Sequence, residues 1–126
     1  MANYALNLTF QDTTNNRIIA RTGGLVTVPG DVHQYFVTIN VGTTEESIVI
    51  PADIVGGNGP ELCFLQNEDT TNYIQIGKTA GDYFGRLQPN AESASVAMLP
   101  LDAGLTTLYV KANTAAADLT VWVGEA

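Results

Sequence analysis

The stretch YFVTINV at residues 35–41 carries the clearest secondary-structure signal in the chain. Tyr, Val, Ile and Val occupy its odd-numbered positions, so these four residues share one face of an extended strand. Residues that favour turns lie on both sides, with Pro29-Gly30-Asp31 before the stretch and Gly42-Thr43-Thr44 after it. The stretch therefore predicts a β-strand between two turns.

Similar stretches rich in Thr, Val, Ile and aromatic residues recur along the chain, and Gly, Asn or Asp separates them about every eight to twelve residues. This spacing predicts an all-β fold: a two-sheet antiparallel β-sandwich forming a single domain over residues 1–126. A jelly-roll and an immunoglobulin-like sandwich would produce the same alternation, so both topologies stay open. The other expected strands are Tyr4–Phe10, Arg17–Arg21, Leu25–Val28, Glu45–Ile50, Leu62–Leu65, Tyr73–Ile76, Gly85–Leu87, Ser95–Leu99, Thr107–Lys111 and Leu119–Val123.

Three local features complete this expected fold. The segment QDTTNN at residues 11–16 has the composition of a turn, and residues 51–55 could form one helical turn at most. Segments 63–77 and 108–124 each consist of a strand, a polar turn and a strand, and are interpreted as hairpins. The expected core residues are Leu6, Leu8, Val37, Ile39, Ile48, Ile50, Phe64, Ile74, Ile76, Leu87, Met98, Tyr109, Val121 and Val123.

Composition restricts the possible classes of function. The 126 residues are 45% hydrophobic and 14% charged, with a formal net charge of −8. Five basic residues are too few to displace counterions from nucleic-acid phosphates, and an acidic surface is repelled by anionic lipid, so we expect neither nucleic acid nor membrane as a partner. The N-terminal segment lacks a basic region and a long apolar run, which predicts synthesis in a cytoplasm without a signal peptide.

The segment FLQNEDTTNYIQIG at residues 64–77 holds one of the most polar clusters in the chain. A calcium loop needs acidic ligands at alternating positions and a distal Glu, whereas Glu68 and Asp69 are adjacent and no Glu follows at the required spacing. Asn67 and Asn72 suit Asx-type turns, in which the side chain hydrogen-bonds nearby backbone. We therefore expect a structural turn and no metal.

Candidate catalytic groups also have simpler explanations. Cys63, the only cysteine, lies in the apolar run Leu62–Leu65, where burial opposes formation of a thiolate, and His33 follows a turn. The glycine-rich segment at residues 56–59 lacks the Lys and the following helix of a phosphate-binding loop. Acidic residues and aromatic residues for glycoside chemistry or sugar stacking are present but show no distinctive spacing; they are Asp53, Glu61, Asp82, Glu92, Tyr35, Tyr73, Tyr83, Tyr109 and Trp122. The sequence predicts neither an enzyme nor a cofactor.

Five segments, in their order along the chain, resemble small β-rich virion proteins of tailed bacteriophages. They are YALNLTF followed by DTTNN (4–16), VGTTEESIVIPADI (41–54), CFLQNEDTTNYIQIG (63–77), FGRLQPNAESASVAML (84–99) and LYVKANTAAADLTVWVGEA (108–126). None is a catalytic motif, so the resemblance concerns the framework of the protein. The chain departs from the family pattern at Pro89-Asn90, where a Gly usually follows the proline, and in its longer GGNGP segment at residues 56–60.

The resemblance implies a capsid decoration or cement protein that binds the outer capsid surface and stabilises the shell. Its implied partners are the major capsid protein and copies of itself, as a homotrimer, and its implied location is the virion after synthesis in the host bacterial cytoplasm. A tail, neck or baseplate component and a small glycan-binding adhesin module are the alternatives.

We expect the interface of such a protein at the termini and at the glycine-rich loop. The C-terminal strand ends near Val123, which would leave a free sheet edge, although both termini could instead pair within their own sheet. The expected interface residues are Met1, Ala2, Asn3, Tyr4, Gly56, Gly57, Asn58, Gly59, Gly124, Glu125 and Ala126.

Overall fold

A computed structural model of the chain describes residues 2–12, 14–28, 34–56, 59–90, 95–102 and 104–125. These residues belong to two compact units, Met1–Val32 and His33–Ala126. The elements are β1 Ala2–Asp12, β2 Arg17–Val28, β3 Gln34–Val41, β4 Glu46–Val49, α1 Ala52–Gly56, β5 Pro60–Asn67, β6 Ile74–Gly77, β7 Gly85–Leu87, β8 Val96–Pro100, β9 Thr107–Ala112 and β10 Ala117–Glu125.

The first unit is an antiparallel hairpin of β1 and β2. Its register runs from Ala2 opposite Val28 to Asp12 opposite Arg17, with one irregularity after Phe10. The turn expected at residues 11–16 is shorter in the structure: residues 14–16 form a turn, whereas Gln11 and Asp12 belong to β1. Asn16 adopts a left-handed φ of 50° that asparagine tolerates. The two strands expected at Arg17–Arg21 and Leu25–Val28 are one, because β2 continues through Gly23 and Gly24, each paired with β1.

The second unit contains two four-stranded antiparallel sheets. The strand order is β3-β10-β5-β8 in one sheet and β4-β9-β6-β7 in the other. The predicted two-sheet antiparallel β-sandwich is thereby confirmed. The choice between a jelly-roll and an immunoglobulin-like order stays a prediction, as does the single domain over residues 1–126.

The core lies between the inner faces of these two sheets. Apolar residues at alternate positions of seven strands meet there, together with Ile50 just before α1 and Ile54 within it. The buried residues of this core include Val41, Ile48, Ile50, Ile54, Cys63, Leu65, Ile74, Ile76, Leu87, Leu108, Val110, Leu119, Val121 and Val123. Full burial of one such aliphatic side chain contributes about 1.5–3 kcal/mol relative to exposure, so this set is the main source of stability.

The expected core is right for seven residues and wrong for three. Ile48, Ile50, Ile74, Ile76, Leu87, Val121 and Val123 are buried, and Val37 and Ile39 pack partly buried against them. Phe64, Met98 and Tyr109 are only half-buried, because their strands present the neighbouring residues to the core instead. Leu6 and Leu8 lie on β1, outside the described side chains.

The two expected hairpins at 63–77 and 108–124 are also wrong. β5 and β6 belong to different sheets, and so do β9 and β10, so both segments connect one sheet to the other. Alternation marks each strand but does not say whether the following turn folds it back or carries it across the core.

The expected free edge at the C-terminus is wrong as well. β10 pairs with β3 on one side and with β5 on the other, so it is an inner strand of its sheet. The alternative considered for the C-terminus, pairing within its own sheet, is the one that the structure shows.

Candidate protein-interaction face

The outer side of the β3-β10-β5-β8 sheet carries a row of four large apolar residues. Phe36 on β3 lies opposite Trp122 on β10, Trp122 lies opposite Phe64 on β5, and Phe64 lies opposite Met98 on β8. Phe36 is 69% exposed, and the other three are half-buried. Directly opposed residues of antiparallel strands project from the same face, so the row crosses the whole sheet.

The rows on either side of it extend this surface. In the row on one side, Leu62 on β5 lies opposite Pro100 on β8. In the row on the other side, Gln66 on β5 lies opposite the exposed Val96 on β8. We call the surface formed by Phe36, Trp122, Phe64, Met98, Leu62, Pro100 and Val96 the apolar face. None of these seven residues carries a charge, in a chain whose net charge is −8.

Polar side chains close the apolar face at one end. Thr38 and Thr120 share a hydrogen bond of 3.3 Å, and the Thr120 hydroxyl donates to Glu68 Oε1 at 3.0 Å. Beyond them, Asn40 Nδ2 donates to Asp118 Oδ1 at 2.9 Å. The first charges therefore appear about two rows away from Phe36, at the polar rim that protein interfaces commonly show.

Trp122 depends on Gly124, its neighbour on the same side of β10. A Cβ at position 124 would lie 2.5 Å from Trp122 Cη2 and 2.9 Å from Cζ2. The indole therefore lies against the backbone of Gly124, which is buried. The absence of a side chain at position 124 allows the ring to lie along the sheet and widens the apolar face.

The outer side of the other sheet is different in character. Gln75 lies opposite Arg86 and Lys111 there, and the Arg86 guanidinium stacks 4.6 Å from the centroid of the Tyr73 ring. Val49, 65% exposed, lies on this side, and so does the half-buried Tyr109 opposite Ser47. A charged outer side is usual for an antiparallel sheet with one face in water. The outer sides of the two four-stranded sheets thus differ, and of these two the apolar face has the composition of a covered surface.

The polar cluster at residues 67–72 forms a structural turn, as the sequence predicts. Asp69 accepts the backbone N–H groups of Thr71 and Asn72 at 2.8 and 2.5 Å through Oδ1, while its own N–H donates to Asn67 Oδ1 at 3.0 Å. The N–H groups of Asn72 and Thr71 lower the pKa of Asp69 because they stabilise its charged form. These side chains satisfy the turn's backbone groups.

Glu45 fixes a second turn, at residues 77–84. Its Oε2 accepts the backbone N–H of Gly81 at 2.7 Å and the hydroxyl of Tyr83. The hydrogen bond from Tyr83 is the main cause that lowers the pKa of Glu45, and the same bond raises the pKa of Tyr83 to about 12. Tyr83, one of the aromatic residues considered for sugar stacking, is half-buried.

The structure describes two of the candidate catalytic residues, Cys63 and Asp53, in structural positions. Burial raises the pKa of the Cys63 thiol to about 12, and His33 lies outside the described residues. Asp53 Oδ1 accepts the N–H of Ile54 at 3.0 Å, a local bond in α1. Among the described residues no three His, Cys, Asp or Glu side chains are grouped as a metal site requires, and no helix is long and apolar enough to cross a membrane.

The expected interface residues are spread over the fold. Ala2, Asn3 and Tyr4 pair with Val28, Thr27 and Val26 in β1–β2, and Glu125 pairs with Pro60. Gly56 ends α1, and Gly59 is buried, with a φ of 86° and its N–H bound to the Ile54 carbonyl at 3.1 Å. Met1, Gly57, Asn58 and Ala126 lie outside the described residues.

Of that set, Gly124 contributes to the apolar face, under the indole of Trp122. Trp122 was considered for sugar stacking, and the other residues of the face were not among the predicted site residues. The sequence did contain a signal for this face. Phe36, Phe64 and Trp122 each lie between apolar residues, so both faces of these strands carry apolar side chains there.

No protein-family model, curated protein or solved structure matches the chain.

Proposed function

We propose that the chain is a structural protein of a tailed-bacteriophage virion, a decoration or cement protein that binds the outer capsid surface and stabilises the shell. It works without bond-making chemistry, alongside the major capsid protein and as a homotrimer. The resemblance of the sequence framework to small virion proteins supports the class of protein. The apolar face supports the mode of action, because a rigid sheet with an uncovered aromatic row is suited to docking on another protein.

The energetics of such a contact follow from the exposure of Phe36. An aromatic side chain covers roughly 150–250 Å², so burying the exposed 69% of Phe36 contributes about 3–4 kcal/mol at ~25 cal/mol per Å². A single small contact of this kind is weak, since association also costs translational and rotational freedom. Copies that bridge neighbouring capsid subunits bind through several contacts at once, and avidity then gives firm attachment.

Rebinding to stripped particles tests the proposal. Phage particles that carry this protein would be stripped of it and then mixed with the wild-type chain or with Phe36→Ser. We expect wild-type protein to co-sediment with the particles and to raise their melting temperature by mass action. We expect Phe36→Ser to bind roughly tenfold or more weakly, a loss of about 1.4 kcal/mol or more.

Val49→Ser is the matched control, because Val49 is 65% exposed on the other sheet and should be dispensable for binding. Equal binding of the Phe36 variant and wild type would contradict docking through the apolar face. Antibody-labelled particles in negative stain would separate the shell from the tail, neck or baseplate as the site of attachment.

The aromatic row also favours a second candidate, a small glycan-binding adhesin module. Rings of Phe36, Trp122 and Phe64 side by side form a platform against which sugar rings could stack. In that case the protein is retained on a polysaccharide column, and Trp122→Ala loses retention without unfolding. A decoration protein shows no such retention.

A further inference from the structure

A second apolar feature of the sandwich unit lies apart from the row of Phe36 and Trp122. It is an open groove of about 410 Å³ beside the end of β8. Four leucines form much of its lining: Leu99, Leu101, Leu105 and Leu108. Of these, Leu108 is buried and the others are partly buried against the core, so the groove is an indentation into the packed interior.

The rim of the groove carries an aromatic side chain and one charge of each sign. Phe84, 59% exposed, stands at the rim with Lys78 and Asp102. Among the described side chains neither charge has an ion-pair partner, whereas the other two described cations are engaged: Arg86 stacks on Tyr73, and Lys111 acts on Glu45 through its charge. The groove therefore has an exposed apolar side chain, a cavity and two unpaired opposite charges.

The turn that holds Lys78 and Phe84 is fixed by its own contacts. The N–H of Phe84 donates to the Ile76 carbonyl at 3.0 Å, and that of Asp82 donates to the Thr79 carbonyl at 3.1 Å. A Cβ on Gly77 would overlap the Asp82 carbonyl oxygen, so the turn is as tight as glycine permits. A side chain held on such a turn loses little further freedom when it binds, which favours association.

We propose that this groove binds a second copy of the chain about a twofold axis. Phe84 of each copy enters the groove of the other, and Lys78 of each copy lies against Asp102 of the other. A twofold contact requires one surface that complements itself, and this surface contains both the apolar side chain and the cavity, and both the cation and the anion.

Charge favours the second copy as the occupant. Two chains of net charge −8 repel each other over most of their surfaces. At this rim the charges of Lys78 and Asp102 cancel within each copy and attract between copies. Pro100 lines this groove and also belongs to the apolar face, but the contact does not use the row that contains Phe36. Its twofold axis is separate from the threefold axis of the proposed homotrimer and from the contact with the capsid, so either proposal can fail without the other.

Charge exchange tests the pairing directly. Lys78→Asp and Asp102→Lys each place like charges in contact across the twofold axis, and we expect each to weaken self-association roughly tenfold, as measured by sedimentation equilibrium over a concentration series. The double variant Lys78→Asp/Asp102→Lys restores opposite charges and keeps the net charge at −8, so it should associate like wild type. An equimolar mixture of the two single variants should form a mixed complex that is about as tight as the wild-type one and tighter than the self-association of either variant alone.

Phe84→Ser should also abolish this twofold association, whereas the matched Phe36→Ser, which removes an exposed Phe from the other sheet, should leave it unchanged. Circular dichroism of each variant would confirm that it is folded. The proposal is overturned if the double variant and the mixture behave like the single variants. It is also overturned if the wild-type mass does not rise with concentration or does not respond to these changes, which would leave the groove to a different partner.

Discussion

Asn67 is the polar residue on which the sandwich should depend most. It is fully buried at the end of β5, and its amide joins three separate parts of the chain. Nδ2 donates to the carbonyls of Asn72 at 2.7 Å, Leu87 at 3.2 Å and Gln88 at 3.0 Å, while Oδ1 accepts the N–H of Asp69. The side chain thus holds the connection between the two sheets and the end of β7 in place.

Replacement by leucine keeps the approximate shape and removes all of these bonds. The carbonyls of Asn72 and Leu87 are bonded within the interior, and each loses its partner. A buried polar group left without a partner costs about 1–3 kcal/mol, and the better burial of leucine offsets roughly 1 kcal/mol of the sum. We therefore expect Asn67→Leu to lower the free energy of unfolding by about 3 kcal/mol, a large part of the ~5–15 kcal/mol typical of a domain.

Urea unfolding followed by the fluorescence of Trp122 and by circular dichroism measures this difference. With an unfolding entropy of about 2.1 cal/mol/K per residue over 126 residues, 3 kcal/mol corresponds to a fall in melting temperature of roughly 11 °C. Gln66→Leu is the control, because Gln66 is half-buried on the outer side of the same strand, and it should change stability by less than about 0.5 kcal/mol. A loss below about 1 kcal/mol for Asn67→Leu would refute the reasoning.

Two further predictions follow from the perturbed pKa values. Burial raises the pKa of the Cys63 thiol from its ordinary value of 9.0 to about 12, so at pH 8 far less of it is thiolate than in the unfolded chain. We therefore expect Cys63 of the folded protein to react with a disulfide reagent at least about a thousandfold more slowly than in the unfolded chain. Equal rates would contradict the burial of Cys63. Tyr83→Phe should reduce stability by a constant amount at neutral pH. That difference in stability should shrink as the pH falls below 4.5, because Glu45 with its lowered pKa becomes protonated there. It should also shrink between pH 10.0 and about 12, because the Tyr83 hydroxyl ionises there. A difference independent of pH would exclude the hydrogen bond between Tyr83 and Glu45.

Alternation in the sequence was sufficient to predict the fold class. The strands, the short helix and the turn at residues 14–16 follow from local chemistry, since β-branched residues and turn-forming residues specify them without reference to the rest of the chain. The Asx turn around Asp69 was predictable for the same reason, because its bonds span no more than three residues.

Pairing between strands was not predictable in this way. β5 and β6 alternate as a hairpin would, yet they belong to different sheets. What distinguishes them is Asn67, whose amide bonds Leu87 and Gln88, about twenty residues further along the chain. A contact of that separation leaves no periodic trace in one sequence, so the crossing was mistaken for a hairpin.

The phase prediction failed in three strands, and two of them carry the candidate site. In β6 the inner Ile74 and Ile76 alternate with Gln75, so the face that enters the core can be recognised from the polarity of the other one. In β9 the half-buried Tyr109 was assigned to the core, whereas its neighbours Leu108 and Val110 are the buried residues. In β5 and β8 both phases are apolar, and there Phe64 and Met98 were assigned to the core although they lie on the outside. When the residues on both faces of a strand are apolar, their polarity does not show which face enters the core.

Strands that are apolar at both phases are typical of sheets covered on both sides. Here β5 and β8 are neighbours in one sheet, and β10 in that sheet adds Trp122 on the same outer side. Two of the three strands whose phase was predicted wrongly are thus neighbours, on the sheet whose outer face the fold leaves partly exposed; the third, β9, belongs to the other sheet. Burial inside the sandwich explains why the inner-facing residues of these strands are apolar. Coverage by another molecule would explain why the outer-facing residues are apolar too. Removing the exposed ring of Phe36 distinguishes the two roles, since a residue needed only for coverage can be changed with little loss of stability and a large loss of binding.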